Sequence, residues 1–242
     1  MSTKFINLKF ENHNLKLLTN GVENPEKIVL CMHGFNGDAW GDGFSKFRKQ
    51  FDNILVCSYD SAGHGESEIP SLEMSVSAIE SELEAVLQYL SKTYPSVPIT
   101  IFASSYGAYR TMISSAHGKV KNVKQFIFAN PAFKILNVLE IMRDFTYASL
   151  PENATVIMKK SLNKFLNKKF LDDLYNSDLF KQNYTSHIPT TIFLGTHDTL
   201  VPKQHTLDFA KIYPCNIIEI NEDHNIENPE SWQKIIDFIK TY

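Results

Sequence analysis

The stretch Ile99-Thr-Ile-Phe-Ala-Ser-Ser-Tyr-Gly107 runs from a short apolar segment straight into helical spacing at Tyr109, Met112, Ile113 and Ala116. A strand feeding directly into a helix is the repeating unit of an α/β sheet. A serine at so sharp a turn is strained, and the residues two positions away on each side must be small. Ser105 satisfies this with Ala103 and Gly107, whereas Ser104 is flanked by Phe102 and Tyr106. Ser105 is therefore the candidate nucleophile. The N–H of Tyr106 opens the helix, where unpaired donors and the positive end of the dipole can meet an oxyanion. An ordinary Ser-Ser-Tyr-Gly turn reads the same way locally, so the rest of the chain has to decide.

Outward from this stretch, apolar runs alternate with amphipathic ones. Strands are expected at 5–10, 15–18, 28–32, 54–59, 99–103, 125–129, 191–194 and 216–220. The middle six are apolar almost throughout, as in a parallel sheet covered on both faces. The first two alternate and fit an antiparallel edge hairpin. Leu72, Val76, Ile79, Leu83, Val86, Leu87 and Leu90 form one helical stripe. Asn228-Pro229 opens a last helix that buries Trp232, Ile235, Ile236 and Ile239. Between Asn130 and Pro189 no convincing strand appears. Met158, Leu162, Phe165, Leu166, Phe170, Leu171 and Leu174 read as helical there, with Lys159, Lys160, Lys164, Lys168 and Lys169 on its solvated side. This run is expected to be a helical insertion over the strand ends, where ligands bind in open α/β sheets.

Three further segments end strands at that same edge. Cys31-Met-His-Gly-Phe35 can offer the Phe35 N–H as a second oxyanion donor, with Gly34 allowing close approach. His33, one residue away from that donor's peptide, suits a structural hydrogen bond better than a base. Gly195-Thr-His-Asp198 supplies Asp198, and Asn221-Glu-Asp-His-Asn225 supplies His224. A serine hydroxyl needs an imidazole to take its proton and a buried carboxylate to fix the imidazole tautomer, and these residues provide the set. Asp60 and Asp223 are weaker candidates for the acid. His64 and His197 read as structural or exposed.

The order Ser105, Asp198, His224, together with His33-Gly34-Phe35 and the turn Asp60-Ser-Ala-Gly-His-Gly-Glu-Ser67, resembles the α/β-hydrolase superfamily over nearly the whole chain. Ala103 in place of the usual glycine and Ser104 in the turn are departures, both small. The resemblance implies a mostly parallel eight-stranded sheet flanked by helices. It implies a core of residues 1–130 and 187–242 with a helical cap at 131–186, and Phe35 and Tyr106 as backbone oxyanion donors. A serine nucleophile, rather than an aspartate, points to acyl transfer. Small members with such loops look like carboxylesterases, cinnamoyl esterases and monoacylglycerol lipases, so hydrolysis of a small acyl or aryl ester is expected. A thioesterase, a C–C hydrolase, a perhydrolase or a non-catalytic binding protein on the same residues stays open. Aromatics at Phe133, Phe145, Tyr147, Phe165, Phe170, Tyr175, Phe180 and Tyr184 suit an acyl pocket or the packing of a small helical unit equally well.

Composition sets the outer bounds. The 242 residues are 43% hydrophobic and 21% charged, with 24 basic against 27 acidic residues and a net charge of −3. That excludes general disorder and gives no electrostatic case for nucleic acid or stable membrane association. Cys31, Cys57 and Cys215 sit in apolar runs, which argues for buried thiols in a reducing compartment. No zinc spacing occurs, and neither metal nor cofactor is expected. With no secretion signal in its first residues, the chain is expected in the cytoplasm, acting on a small-molecule ester.

Overall fold

The computed structural model describes residues 3–10, 12–160, 164–185 and 187–241. Strands are β1 (Lys4–Phe10), β2 (His13–Thr19), β3 (Lys27–Met32), β4 (Ile54–Tyr59), β5 (Ile99–Ser104), β6 (Val123–Ala129), β7 (Thr155–Lys159), β8 (Lys164–Asn167), β9 (Thr190–Gly195) and β10 (Asn216–Ile220). Helices are α1 (Asp42–Phe47), α2 (Val76–Thr93), α3 (Tyr106–Ala116), α4 (Ile135–Arg143), α5 (Lys168–Asn176), α6 (Lys203–Ile212) and α7 (Pro229–Thr241). Eight strands form one sheet in the order β1-β2-β4-β3-β5-β6-β9-β10. β1 and β2 pair antiparallel, as does β2 with β4, and every other pair is parallel.

Alternation along each strand divides the core in two. Ile28, Leu30 and Met32 of β3 join the cluster under α2 and α3. Val29 and Cys31 join the one under α1 and α7, with Phe44, Phe47 and Trp232. Both faces are covered, which is why these strands read as unbroken apolar runs. In α2 the side chains of Val76, Ile79, Leu83, Val86, Leu87 and Leu90 are buried, each favouring the folded state by roughly 1.5–3 kcal/mol over exposure.

The strand order reverses at β3: β4 lies on one side of it and β5 on the other. A crevice opens at such a switch point, at the C-terminal ends of the strands. The register Met32↔Ala103 puts the loop after β3 beside the turn after β5. A Cβ built on Gly34 would lie 3.5 Å from that of Ser105.

Two expectations need correction. Leu72 does not begin α2; it lies in a 3-10 turn at Ser71–Glu73 and is exposed. Ser75, with extended backbone, accepts a bond from the Ala78 N–H and starts the helix after it. The insertion is not all helical either. Met158, Phe165 and Leu166 lie on a hairpin, with Val156 facing Leu166 and Ile157 facing Phe165. Met158 and Leu166 are buried on it. Their spacing mimics a helix because the hairpin is bulged between Ile157 and Lys159 and Asn167 passes directly into α5, capping it through the Phe170 N–H. Leu162, placed on that helix by periodicity, and Ser186, the expected end of the insertion, lie outside the described residues. Among the described residues no helix is long and apolar enough to cross a membrane.

The smallness required at Gly107 has a cause that local sequence does not reveal. A Cβ there would meet the carbonyl oxygens of Met32 at 2.4 Å and His33 at 3.0 Å, both from the end of β3. Gly107→Ala is expected to destabilise the fold by about 2–3 kcal/mol, since overpacking against backbone cannot relax by rotamer change. A thermal midpoint equal to that of the wild type would contradict this contact.

Candidate active site

Ser105 sits between β5 and α3 with φ 50° and ψ −116°. That is left-handed φ for a side chain with a Cβ, and it costs about 1–3 kcal/mol. The turn is held from both sides: the Ser105 N–H donates to Ala129 O at 3.0 Å, and its carbonyl accepts from Ala108 and Ala132. The strain lifts the hydroxyl out of the sheet edge. There it lies 3.0 Å from Nε2 of His224, and Nδ1 of His224 lies 2.8 Å from Oδ2 of Asp198. A carboxylate facing Nδ1 makes Nδ1 the protonated nitrogen, which leaves Nε2 as the acceptor for the serine hydroxyl. The Asp198 side chain is 1% exposed and that of His224 13%. Oδ1 of Asp198 accepts the N–H groups of Leu200 and Val201 at 2.9 and 2.8 Å, which fixes the carboxylate plane.

The loop after β3 flanks the serine. His33 Nδ1 donates to Gly34 O at 2.8 Å, and its Nε2 accepts from the Ser61 N–H at 3.2 Å. Burial, reinforced by the Arg110 charge, holds this imidazole well below its ordinary range, so it stays neutral. Neither the Phe35 N–H nor the Tyr106 N–H has an acceptor among the described residues. Serine and histidine open on a cleft of about 680 Å³ lined by Phe35, Met142, Leu200, Ile226 and Trp232, with Glu222, Asp223 and Glu227 among its polar groups.

One residue of this assembly was not singled out by sequence. Asn130, at the end of β6 with φ 45°, is buried. Its Nδ2 donates to the carbonyls of Asp223 and His224, each at 2.9 Å, and its Oδ1 accepts the Gly195 N–H at 2.6 Å. It ties the histidine loop to the end of β9. Gly195 permits this approach, because a Cβ would meet Glu222 O at 2.7 Å and Asp223 O at 2.8 Å. An Asn directly after an apolar strand was the only available signal.

Residues 23–183, well over half of the chain, match the family model described as serine aminopeptidase, S33. The chain belongs to this hydrolase family. The match takes in the β3 loop and the serine turn but ends before Asp198 and His224, which the tertiary structure alone brings to Ser105. A putative hydrolase from Agrobacterium vitis S4 superposes with a TM-score of 0.79 at 16% identity, covering 99% of this chain and 98% of that one. Est1E from Butyrivibrio proteoclasticus, with ferulic acid bound, gives 0.75 at 19% over 98% and 96%. Mouse alpha/beta hydrolase domain-containing protein 10 gives 0.74 at 16% over 100% and 98%. These likenesses show the α/β-hydrolase fold. Protein phosphatase methylesterase 1 of Candida albicans is 22% identical over 164 residues, 66% of this chain. The chain spans 42% of that relative's length.

Among the described residues, none of the remaining candidates of this hydrolase bonds the Ser105 hydroxyl. Asp60 accepts the N–H groups of Ala39 and Glu66 and organises the 60–67 turn. Asp223 accepts the His224 N–H at 2.6 Å and so bonds the backbone of the loop, not the imidazole. His64 is buried, donates from Nδ1 to Ala62 O, and leaves Nε2 without a partner. His197 is exposed. The three cysteines are unpaired. Among the described residues no group of three His, Cys, Asp or Glu side chains could hold a metal.

None of the eight insertion aromatics lines the cleft; from that segment Met142 does. Phe133 and Phe170 are fully buried and Tyr147 stacks on Tyr175, so packing accounts for these four. The lysines do not share one solvated helix face. Lys159 is on β7, Lys168 pairs with Asp172, and Lys164 of β8 is 4% exposed beneath the β3 loop.

Asn130→Ala leaves the Gly195 N–H and two loop carbonyls without their partner. A loss of about 2 kcal/mol is expected, read as a drop of several degrees in thermal midpoint. Phosphonylation of Ser105 by a fluorophosphonate should slow as the histidine loop loosens. Unchanged stability with an unchanged labelling rate would remove Asn130 from this role.

Proposed function

We propose that the protein is a serine hydrolase that cleaves a small carboxylic ester, acyl or aryl, through an acyl-enzyme on Ser105. The observation that carries this reading is the unbroken relay from Ser105 Oγ through His224 to Asp198, opening on a cleft. In it, Ser105 Oγ attacks the ester carbonyl carbon while its proton passes to Nε2 of His224. Asp198 stabilises the imidazolium that results. The carbonyl oxygen, now negative, accepts the free N–H groups of Phe35 and Tyr106. His224 returns the proton to the departing alkoxide. It then deprotonates a water that attacks the acyl carbon and restores Ser105.

Among the described residues, carboxylates but no lysine or arginine line the cleft, which favours neutral acyl groups over anionic ones. Residues 131–186 act in this reading as a cap, with Met142 at the cleft wall. That Est1E binds ferulic acid within the same fold agrees with an aryl or acyl ester.

A fluorophosphonate should label the wild type at Ser105, and Ser105→Ala should abolish both labelling and turnover of short p-nitrophenyl esters. Labelling at another residue would overturn the assignment of the nucleophile. Hydrolysis of aminoacyl anilides with no ester turnover would replace the ester by a peptide bond.

A further inference from the structure

The backbone around the proposed oxyanion donor is held carbonyl by carbonyl. Arg110 Nη2 donates to His33 O at 2.7 Å. Gly34 O accepts from His33 Nδ1 and from the Gly37 N–H at 3.1 Å. Phe35 O faces Lys164 Nζ at 3.4 Å, and the same ammonium lies 4.4 Å from the centroid of the Phe35 ring. Three consecutive carbonyls thus meet donors, while the Phe35 N–H has no acceptor among the described residues. The first two contacts come from the loop itself and from α3. The third comes from the insertion, more than a hundred residues on in sequence.

Lys164 is unusual in what it lacks. It is buried and has no ion pair among the described residues. A buried ammonium is strongly disfavoured unless something replaces its water. Here the replacements are the Phe35 carbonyl and the negative face of the Phe35 ring. A cation fixed behind the loop also favours negative charge developing in front of it.

We propose that Lys164 is a positioning residue for the oxyanion loop, holding the Phe35 carbonyl and ring so that the Phe35 N–H is aimed at the reacting carbonyl. This rests on the hydrolytic reading above. It makes the cap hairpin part of the catalytic geometry rather than only a wall of the pocket.

Burial, with help from Arg110 and Lys159, brings the Lys164 ammonium down to about 7. The charge is present below that pH and lost above it, so kcat should decline as pH rises through that range. The groups facing Lys164 are Arg110 on α3, Lys159 on β7, and His33 and His64, whose imidazoles burial keeps neutral. Glu82 on α2, bonded to the Ala62 N–H, is pushed by burial up to about 7 and titrates in the same range. Lys164→Arg leaves Glu82 in place and keeps a permanent cation, so it separates the two.

The test is steady-state hydrolysis of a p-nitrophenyl ester by wild type, Lys164→Met, Lys164→Arg and Ser105→Ala, with thermal midpoints measured alongside. Lys164→Met should lower kcat by about tenfold to a hundredfold, less than the loss of a whole oxyanion donor, with KM changed by no more than about twofold. Lys164→Arg should recover most of kcat and lose the alkaline decline seen in the wild type. A wild-type kcat in Lys164→Met, or a loss confined to KM, overturns the proposal. So does an alkaline decline in Lys164→Arg like that of the wild type, and this comparison decides alone if Lys164→Met does not fold. Turnover retained in Ser105→Ala would instead bring down the hydrolytic reading itself.

Discussion

The left-handed backbone at Ser105 is the constraint on which the site depends. No residue with a Cβ adopts φ 50° and ψ −116° unless its surroundings leave no alternative. The surroundings here are the neighbouring β6 backbone, which accepts the Ser105 N–H, and the Ala108 and Ala132 N–H groups, which donate to its carbonyl. The adjacent strand β3 passes so close to α3 that only glycine fits at 107. Strain at one residue is therefore balanced by the whole centre of the parallel sheet, and the hydroxyl is presented at a fixed height above the strand ends.

Given that fixed point, the rest of the site is a problem of loop tethering. Loops are the most mobile parts of a fold, yet a relay of hydrogen bonds tolerates errors of only a fraction of an ångström. Buried side chains provide the restraint. Asn130 staples the histidine loop to β9, and Trp232 Nε1 donates to Ile226 O at 2.8 Å from below. Glu222 accepts the N–H groups of Glu227 and Asn228. On the opposite side Arg110, His33 and Lys164 hold the β3 loop. Each of these buried polar groups would be a liability alone; bonded to loop backbone, each converts its desolvation into loop position.

Much of this was legible in the chain. The central strands were visible because burial on both faces forces unbroken apolar runs, as in Ile28–Met32 and Ile54–Tyr59. The serine turn was visible because its sterics restrict residues on either side. The hairpin β7–β8 was not. Strand pairing is a non-local relation, and the bulge beside Lys159 displaced Met158, Phe165 and Leu166 into apparent helical spacing. The lysines were misread for the same reason: once the segment is taken as a helix, Lys164 falls on its wet side, whereas as a strand residue it alternates inward.

The sequence by itself determined the sheet, its order of loops and the chemical types available at its edge, since these follow from periodicity, turn sterics and residue identity over short windows. Only the tertiary structure decided which aspartate meets His224, that Asn130 clamps that histidine's loop, and that a lysine from the insertion reaches the Phe35 carbonyl. Those are contacts between residues about twenty-five to a hundred and thirty positions apart. Their distances are set by how strands stack and loops cross, and no local window of sequence encodes that.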